Sequence, residues 1–214
     1  MEFQIIDLHQ INQEKTVSQI SQCLDLWKQV YEPILHKNNE TLDLDHFFRS
    51  RYLSILHGSN QIFAFCLHNP FLVQDKFLLE NSYFKYCTPY AKAMIFETTE
   101  RILSLEWLTA NPLFRGEASG INYTEYLLSL TFRWMKENRF SAMIGYSRTD
   151  YKADKAAEKF GASAIDTVQR HGIECKIMLA YAHRIITHPD PQQAQVIHQI
   201  YNTTQTNDFQ EQAA

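Results

Sequence analysis

Residues 111 to 120 read Asn-Pro-Leu-Phe-Arg-Gly-Glu-Ala-Ser-Gly, between an apolar run, Ile102 to Ala110, and a run of helical spacing, Ile121 to Asn138. Arg115 is followed by short residues and then by a helix start. The first N–H groups of a helix have no partner inside it, and the helix dipole adds partial positive charge there. The short residues Gly116, Ala118, Ser119 and Gly120 let an anion approach these groups, so this spacing suits a ligand that carries a pyrophosphate. A second residue with chemical capacity lies just upstream. Glu106 sits inside the apolar stretch Leu103-Ser104-Leu105-Glu106-Trp107-Leu108. A carboxylate in such a strand is costly unless partnered, so a raised pKa is expected.

The surrounding elements must hold these groups. Phe3 to Leu8 reads as a strand. Thr16 to Leu35 reads as a helix, with Val17, Ile20, Leu24, Trp27, Val30 and Tyr31 near helical spacing. Leu42 to Ser50 reads as a short helix capped by Thr41 or Asp43. Tyr52 to Leu56 and Ile62 to Leu67 form a hairpin across Gly58-Ser59-Asn60. The aromatic-rich segment Pro70 to Tyr90 is expected to hold a short helix near Gln74 to Phe84, as a substrate-side excursion or an ordinary packed helix-loop. Ala93 to Glu100 reads as a strand or a helix end, and Ile102 to Leu108 as a strand.

The run from Ile121 to Lys136 has the widest apolar helical face. Ser141 to Tyr146 reads as a buried strand, and Ala153 to Phe160 as a helix ended by Gly161. Ser163 to Val168 and Glu174 to Ala182 form a hairpin through His171-Gly172, where His171 is a turn residue. Pro189 to Tyr201 reads as a last helix, and the polar stretch from Asn202 to Ala214 as disordered.

The chain has 214 residues, a hydrophobic fraction of 45% and a net charge of −4. That balance argues against a general nucleic-acid binder. No apolar run reaches the roughly 18 residues of a membrane span. The N-terminus lacks the basic and apolar regions of a secretory signal. Cys23, Cys66, Cys87 and Cys175 are scattered, which suits reduced core thiols and a cytoplasmic protein. No metal site is expected, because no set of ligands has metal-binding spacing.

The order strand, NPLFRGEASG, long helix, strand, SRTDYKADKAAEKFGA, hairpin resembles the GNAT superfamily of acyl-CoA-dependent N-acyltransferases. Its Arg/Gln-x-x-Gly-x-Gly/Ala loop corresponds to Arg115, Ala118 and Gly120, with Ala118 in place of the usual glycine. Leu108-Thr109-Ala110-Asn111-Pro112 resembles the family's strand end, and Lys159-Phe160-Gly161-Ala162 its downstream segment. The resemblance runs from about Arg101 to Tyr181. It implies an α/β (α+β) domain over residues 1–184, with a mixed, mostly antiparallel central sheet flanked by helices. Residues 185–214 form the C-terminal helix and tail.

The resemblance also implies a site. Backbone N–H groups of Glu117, Ala118, Ser119, Gly120 and Ile121 would hold the pyrophosphate of acetyl-CoA or another acyl-CoA, with Arg115 and Gly116 closing the loop. A bulge would free the backbone of Leu108, Thr109 and Ala110 to pair with the pantetheine. Glu106 would be the general base, sharing a face with Leu108 and Ala110 unless the bulge intervenes, while Trp107 packs in the core. The family's tyrosine proton donor falls at Ala157, which leaves Tyr146 and Tyr151 as substitutes. Its asparagine falls at Asp150, which is also a candidate helix cap. Arg148 and Lys152 are candidates for contact with the CoA phosphates.

The expected activity is transfer of an acyl group, most simply acetyl, from acyl-CoA to a primary amine on a small molecule or peptide. The alternatives are a non-catalytic acyl-CoA sensor or interaction module, and an N-acyl synthase using a long-chain acyl group on CoA or a carrier protein. No nucleic-acid partner or membrane insertion is expected, and a homodimer is left open.

Overall fold

Alternating and continuous apolar runs become strands: β1 (Glu2–Asp7), β2 (Tyr52–His57), β3 (Ile62–His68), β4 (Pro70–Leu72), β5 (Arg101–Ala110), β6 (Ala142–Arg148), β7 (Ser163–Arg170) and β8 (Ile173–Tyr181). Helical spacing becomes α1 (Glu14–His36), α2 (Leu44–Arg49), α3 (Pro89–Thr98), α4 (Tyr123–Glu137), α5 (Ala153–Glu158) and α6 (Pro191–Asn202). The structure is a computed structural model that describes residues 1–11, 14–75, 78, 81–114 and 120–203.

Side-chain oxygens satisfy the otherwise unpaired N–H groups at several helix starts. Asp43 accepts from the Asp45 N–H, Thr88 from Ala91, Asn122 from Glu125, and Asp190 from Gln192 and Gln193.

The strands form one eight-stranded sheet in the order β1-β2-β3-β5-β6-β8-β7, with β4 also on β5. Every pairing is antiparallel except β5 with β6. The mixed, mostly antiparallel sheet flanked by helices is the expected architecture. Alternation sends neighbouring residues to opposite faces. Ile5, Leu56, Met143 and Met178 pack with α4 and α6, whereas Ile6, Ile55 and Phe65 pack with α1 and α2. On that second face, Ile144 and Ile177 pack with α3 and the 3-10 turn Ser82–Tyr86. α6 joins the main core through Ile197, Ile200 and Tyr201, and Tyr201 stacks on Phe3.

The Pro70 to Tyr90 segment begins as β4 on the edge of β5, and the later Ser82–Tyr86 turn buries Tyr83 and Phe84. Residues 76, 77, 79 and 80 of the helix expected near Gln74 to Phe84 lie outside the described residues, and Leu78 and Ser82–Tyr86 are in 3-10 conformation. Ala93 to Glu100 resolves toward helix, because Thr88 caps a start with Pro89 in its first turn. The tail from 204 onward lies outside the described residues.

Two irregularities in the central strands shape the molecule. On β3 the register steps from Phe65 to Leu67 while β5 steps from Thr109 to Glu106, which leaves one extra residue on β5. The extra residue marks a bulge. Trp107 lies within it at φ +53°, and T-shaped contacts with Trp27 and Tyr31 hold it there. The second irregularity is a divergence. β5 and β6 pair from Ile102↔Ala142 only as far as Leu105↔Gly145. Beyond that point β6 stays on β8 to Arg148, and β5 stays on β3 to Ala110. The two parallel strands therefore splay apart. Gly145 stands at the apex, where a Cβ would lie 3.2 Å from the Leu105 carbonyl oxygen.

Candidate active site

The splay opens into a cleft of about 1050 Å³. Its walls come from the second half of α1, the end of β5, the start of α4, the end of β6, α5 and the β7–β8 turn. Single ligand pockets usually hold about 300–1,000 Å³, so this cleft has room for a large cofactor and a second molecule.

Glu106 lies on the cleft wall, 7% exposed, with both carboxylate oxygens bonded. Oε2 is 2.8 Å from Nε2 of His46, and Oε1 accepts from Ser104 Oγ at 2.6 Å and from Asn69 Nδ2 at 3.1 Å. The expected raised pKa is corrected by these partners. Burial pushes the Glu106 pKa up, but the His46 hydrogen bond and charge, with the Ser104 and Asn69 bonds, outweigh it and hold it below the usual value. An ionised carboxylate can only accept, so Nε2 of His46 carries the proton between them.

The bulge also redirects this strand. Glu106 bonds toward α2, whereas Leu108 and Ala110 pack against the α4 core, so the three do not share a face. Trp107 does pack with the α1 and α2 core, and it also reaches the cleft and stacks against His171.

Past the bulge, Thr109 pairs with Phe65 and Asn111 donates to the Phe63 carbonyl. Antiparallel alternation therefore directs the backbone groups of Leu108 and Ala110 toward the gap. Both line the cleft, while Thr109 is buried against β3 with its hydroxyl on the Trp107 carbonyl. The Leu108 carbonyl is already taken by the Tyr31 hydroxyl at 2.8 Å.

At the other wall, Asn122 caps α4, with Gly120 and Ile121 at the cleft edge. Gly120 has φ +63°, and among the described residues a Cβ there would meet nothing within 4 Å. Arg115, Gly116, Glu117, Ala118 and Ser119 lie outside the described residues. Lys152, Lys155 and Lys159 of α5 and its entry line the same region. Lys155 pairs with Glu158, and Lys159 with Glu125.

The remaining site residues are dispersed. Tyr146 lines the cleft, but its hydroxyl donates to the Tyr83 carbonyl at 2.7 Å and touches Cys87 Sγ at 3.2 Å. Burial, and then the Cys87 contact, push its pKa up. Tyr151 is exposed at the cleft mouth, under the Arg148 guanidinium. Asp150 is corrected as a helix cap. The cap position of α5 is Lys152, in the left-handed conformation at φ 55° with no side-chain cap bond, and Asp150 accepts two bonds from Arg148 instead. Ala157 is buried in the main core and lines the small hollow behind the splay.

Sequence reasoning passed over His46, Tyr31, Asn69 and Arg170. His46 and Asn69 lie far from Glu106 in sequence, and no local pattern pairs them with it.

A sheet with one parallel pair splayed at its centre, flanked by helices and opened by a bulge, is a GNAT-like fold. Three solved structures show the likeness. A CoA-dependent acyl-homoserine lactone synthase, BjaI, described with SAM and isopentyl-CoA, aligns with TM-score 0.60 at 9% identity over 96% of this chain and 93% of that one. An agmatine N-acetyltransferase aligns with TM-score 0.57 at 12% identity over 85% of this chain and 100% of that one. A mosquito arylalkylamine N-acetyltransferase-like protein aligns with TM-score 0.55 at 13% identity over 77% of this chain and 96% of that one. No family model and no curated protein matches the chain. Among the described residues, no helix is long and apolar enough to cross a membrane.

Proposed function

We propose that the protein is an acyl-CoA-dependent N-acyltransferase acting on an amine. The observation that carries this reading is the splay of β5 from β6, which opens into a cleft with bonded Glu106 on one wall and the α4 start on the other. The residues present fit CoA. The α4 N-terminus, the open space at Gly120 and the lysines of α5 suit its phosphates. The gap beside Leu108 suits an extended arm pairing with strand backbone.

A bound acyl-CoA would supply the activated carbonyl of a thioester. The Leu108 N–H, directed into the gap, polarises that carbonyl oxygen. Glu106 accepts the proton that the amine nitrogen sheds as it bonds to the acyl carbon, while the C–S bond breaks and sulfur leaves as thiolate. A carboxylate held this low is a weak base, suited to an N–H that becomes acidic as nitrogen gains positive charge.

Acetyl is the favoured acyl group. Behind the splay, Leu105, Gly145 and Ala157 line a hollow of only about 20 Å³, close to the space of one water or methyl group. The test is a thermal shift with acetyl-CoA and longer acyl-CoAs, followed by thiol release with a panel of amines. Stabilisation by acetyl-CoA with amine-dependent thiol release is expected. No stabilisation by any acyl-CoA would overturn the proposal, and binding without turnover would leave a sensor.

A further inference from the structure

Arg170 ends β7 on the face of the sheet that carries Tyr146. Its guanidinium lies 4.4 Å from the Tyr146 ring centroid and 5.2 Å from that of Tyr86, and it lines the cleft. Two aromatic rings hold it in place. Among the described residues it makes no ion pair and no hydrogen bond, and its Nε is buried without a partner. Arg148, two residues beyond Tyr146 on β6, is by contrast tied to Asp150 through two bonds.

A partly buried, unpaired guanidinium on a cleft wall is costly unless something anionic meets it. Glu106 lies on the same side of the sheet, close enough to act electrostatically on the Tyr146 hydroxyl. The cleft lining therefore carries a negative group, Glu106, and a positive group, Arg170, both near enough to Tyr146 to act on it.

We propose that Arg170 binds a carboxylate on the acceptor, so that the acceptor is of amino-acid type, with its amine toward Glu106 and its carboxylate on Arg170. The inference rests on the N-acyltransferase reading above and specifies its acceptor. A guanidinium presents paired N–H donors that match a carboxylate. One positive charge suits a monoanion better than a phosphate dianion.

The test uses the full chain and reads equilibrium binding by calorimetry. The probes are the proteinogenic amino acids, each beside its amide and its decarboxylated amine, such as phenylalanine, phenylalaninamide and phenethylamine. At least one amino acid is expected to bind about 10- to 100-fold more tightly than its two uncharged-end counterparts, the range of one charge-assisted contact. Arg170→Met is expected to erase that ratio while the acyl-CoA thermal shift stays unchanged. Arg170→Gln provides the same comparison if the first variant folds poorly. The proposal is overturned if no amino acid outbinds its amide and amine, or if the preference survives the loss of the guanidinium. Because binding is read without turnover, absent thiol release would sink the transferase reading alone and leave this one to be decided by the affinities.

Discussion

Glu106 shows how partners reverse the effect of burial. Desolvation alone would raise its pKa, yet His46, Ser104 and Asn69 outweigh it and hold the pKa below the usual carboxylate value. Glu106→Gln keeps the shape and removes the charge. We expect kcat to fall by about 10²- to 10⁴-fold, measured by thiol release, with the acyl-CoA thermal shift retained; an unchanged kcat would remove Glu106 as the base.

The same residue contributes to acid sensitivity. Its folded pKa lies below the unfolded one, so its stabilisation is present above the unfolded value and is lost as the pH falls through the folded value. His68 acts in the adjoining window. It is buried between Ser54 and the Ser104 carbonyl, and burial lowers its pKa to about 4 despite the Ser104 bond. The unfolded chain protonates this histidine first, so stability is full above about pH 6.5 and declines toward pH 4, by about 3 kcal/mol. Urea melts across that range should show the slope, and His68→Gln should flatten it.

The start of α4 and the end of β5 form the two sides of the site as elements. Gly120 adopts a left-handed conformation, with open space beside it among the described residues. Gly120→Ala therefore meets strain but no clash, and we expect a loss of about 1 kcal/mol in stability with acyl-CoA binding kept. Gly120→Trp projects a ring into the same space. It should weaken acyl-CoA binding by at least about 10-fold by titration, where one lost contact of 1.4 kcal/mol suffices. Equal affinities for the two variants would place the phosphates elsewhere. On the other side, the bulge at Trp107 turns Glu106 toward α2 and leaves Leu108 and Ala110 facing α4. One extra residue thus separates the base from the backbone that flanks the gap.

For the molecule as a whole, the cleft joins elements from both halves of the chain, so a ligand that fills it stabilises the folded state globally. At about 100 times its Kd, acetyl-CoA should add about 2.7 kcal/mol. For a chain of this length that corresponds to a Tm increase of about 5–10 °C. Added salt should reduce the gain, because the lysines at the α5 end of the cleft are partly exposed and screened. A Tm that does not move would contradict the cleft as the cofactor site.

Hydrophobic period and cap residues were legible without the structure. Seven of the strands and the helices from Thr16, Leu42, Ile121, Ala153 and Pro189 fall within a few residues of their observed bounds, because period, caps and turn glycines are local properties. The place of Glu106 on β5 was equally legible, since it is a matter of residue type and neighbour. The tertiary structure alone decided the rest. It placed β4 on β5, ended the β5–β6 pairing at Gly145, and brought His46, Asn69 and Arg170 to the site. Those outcomes depend on contacts between residues far apart in the chain, and no local pattern encodes the direction in which Glu106 is shifted. The sequence determined which groups have chemistry to offer; packing determined which of them meet.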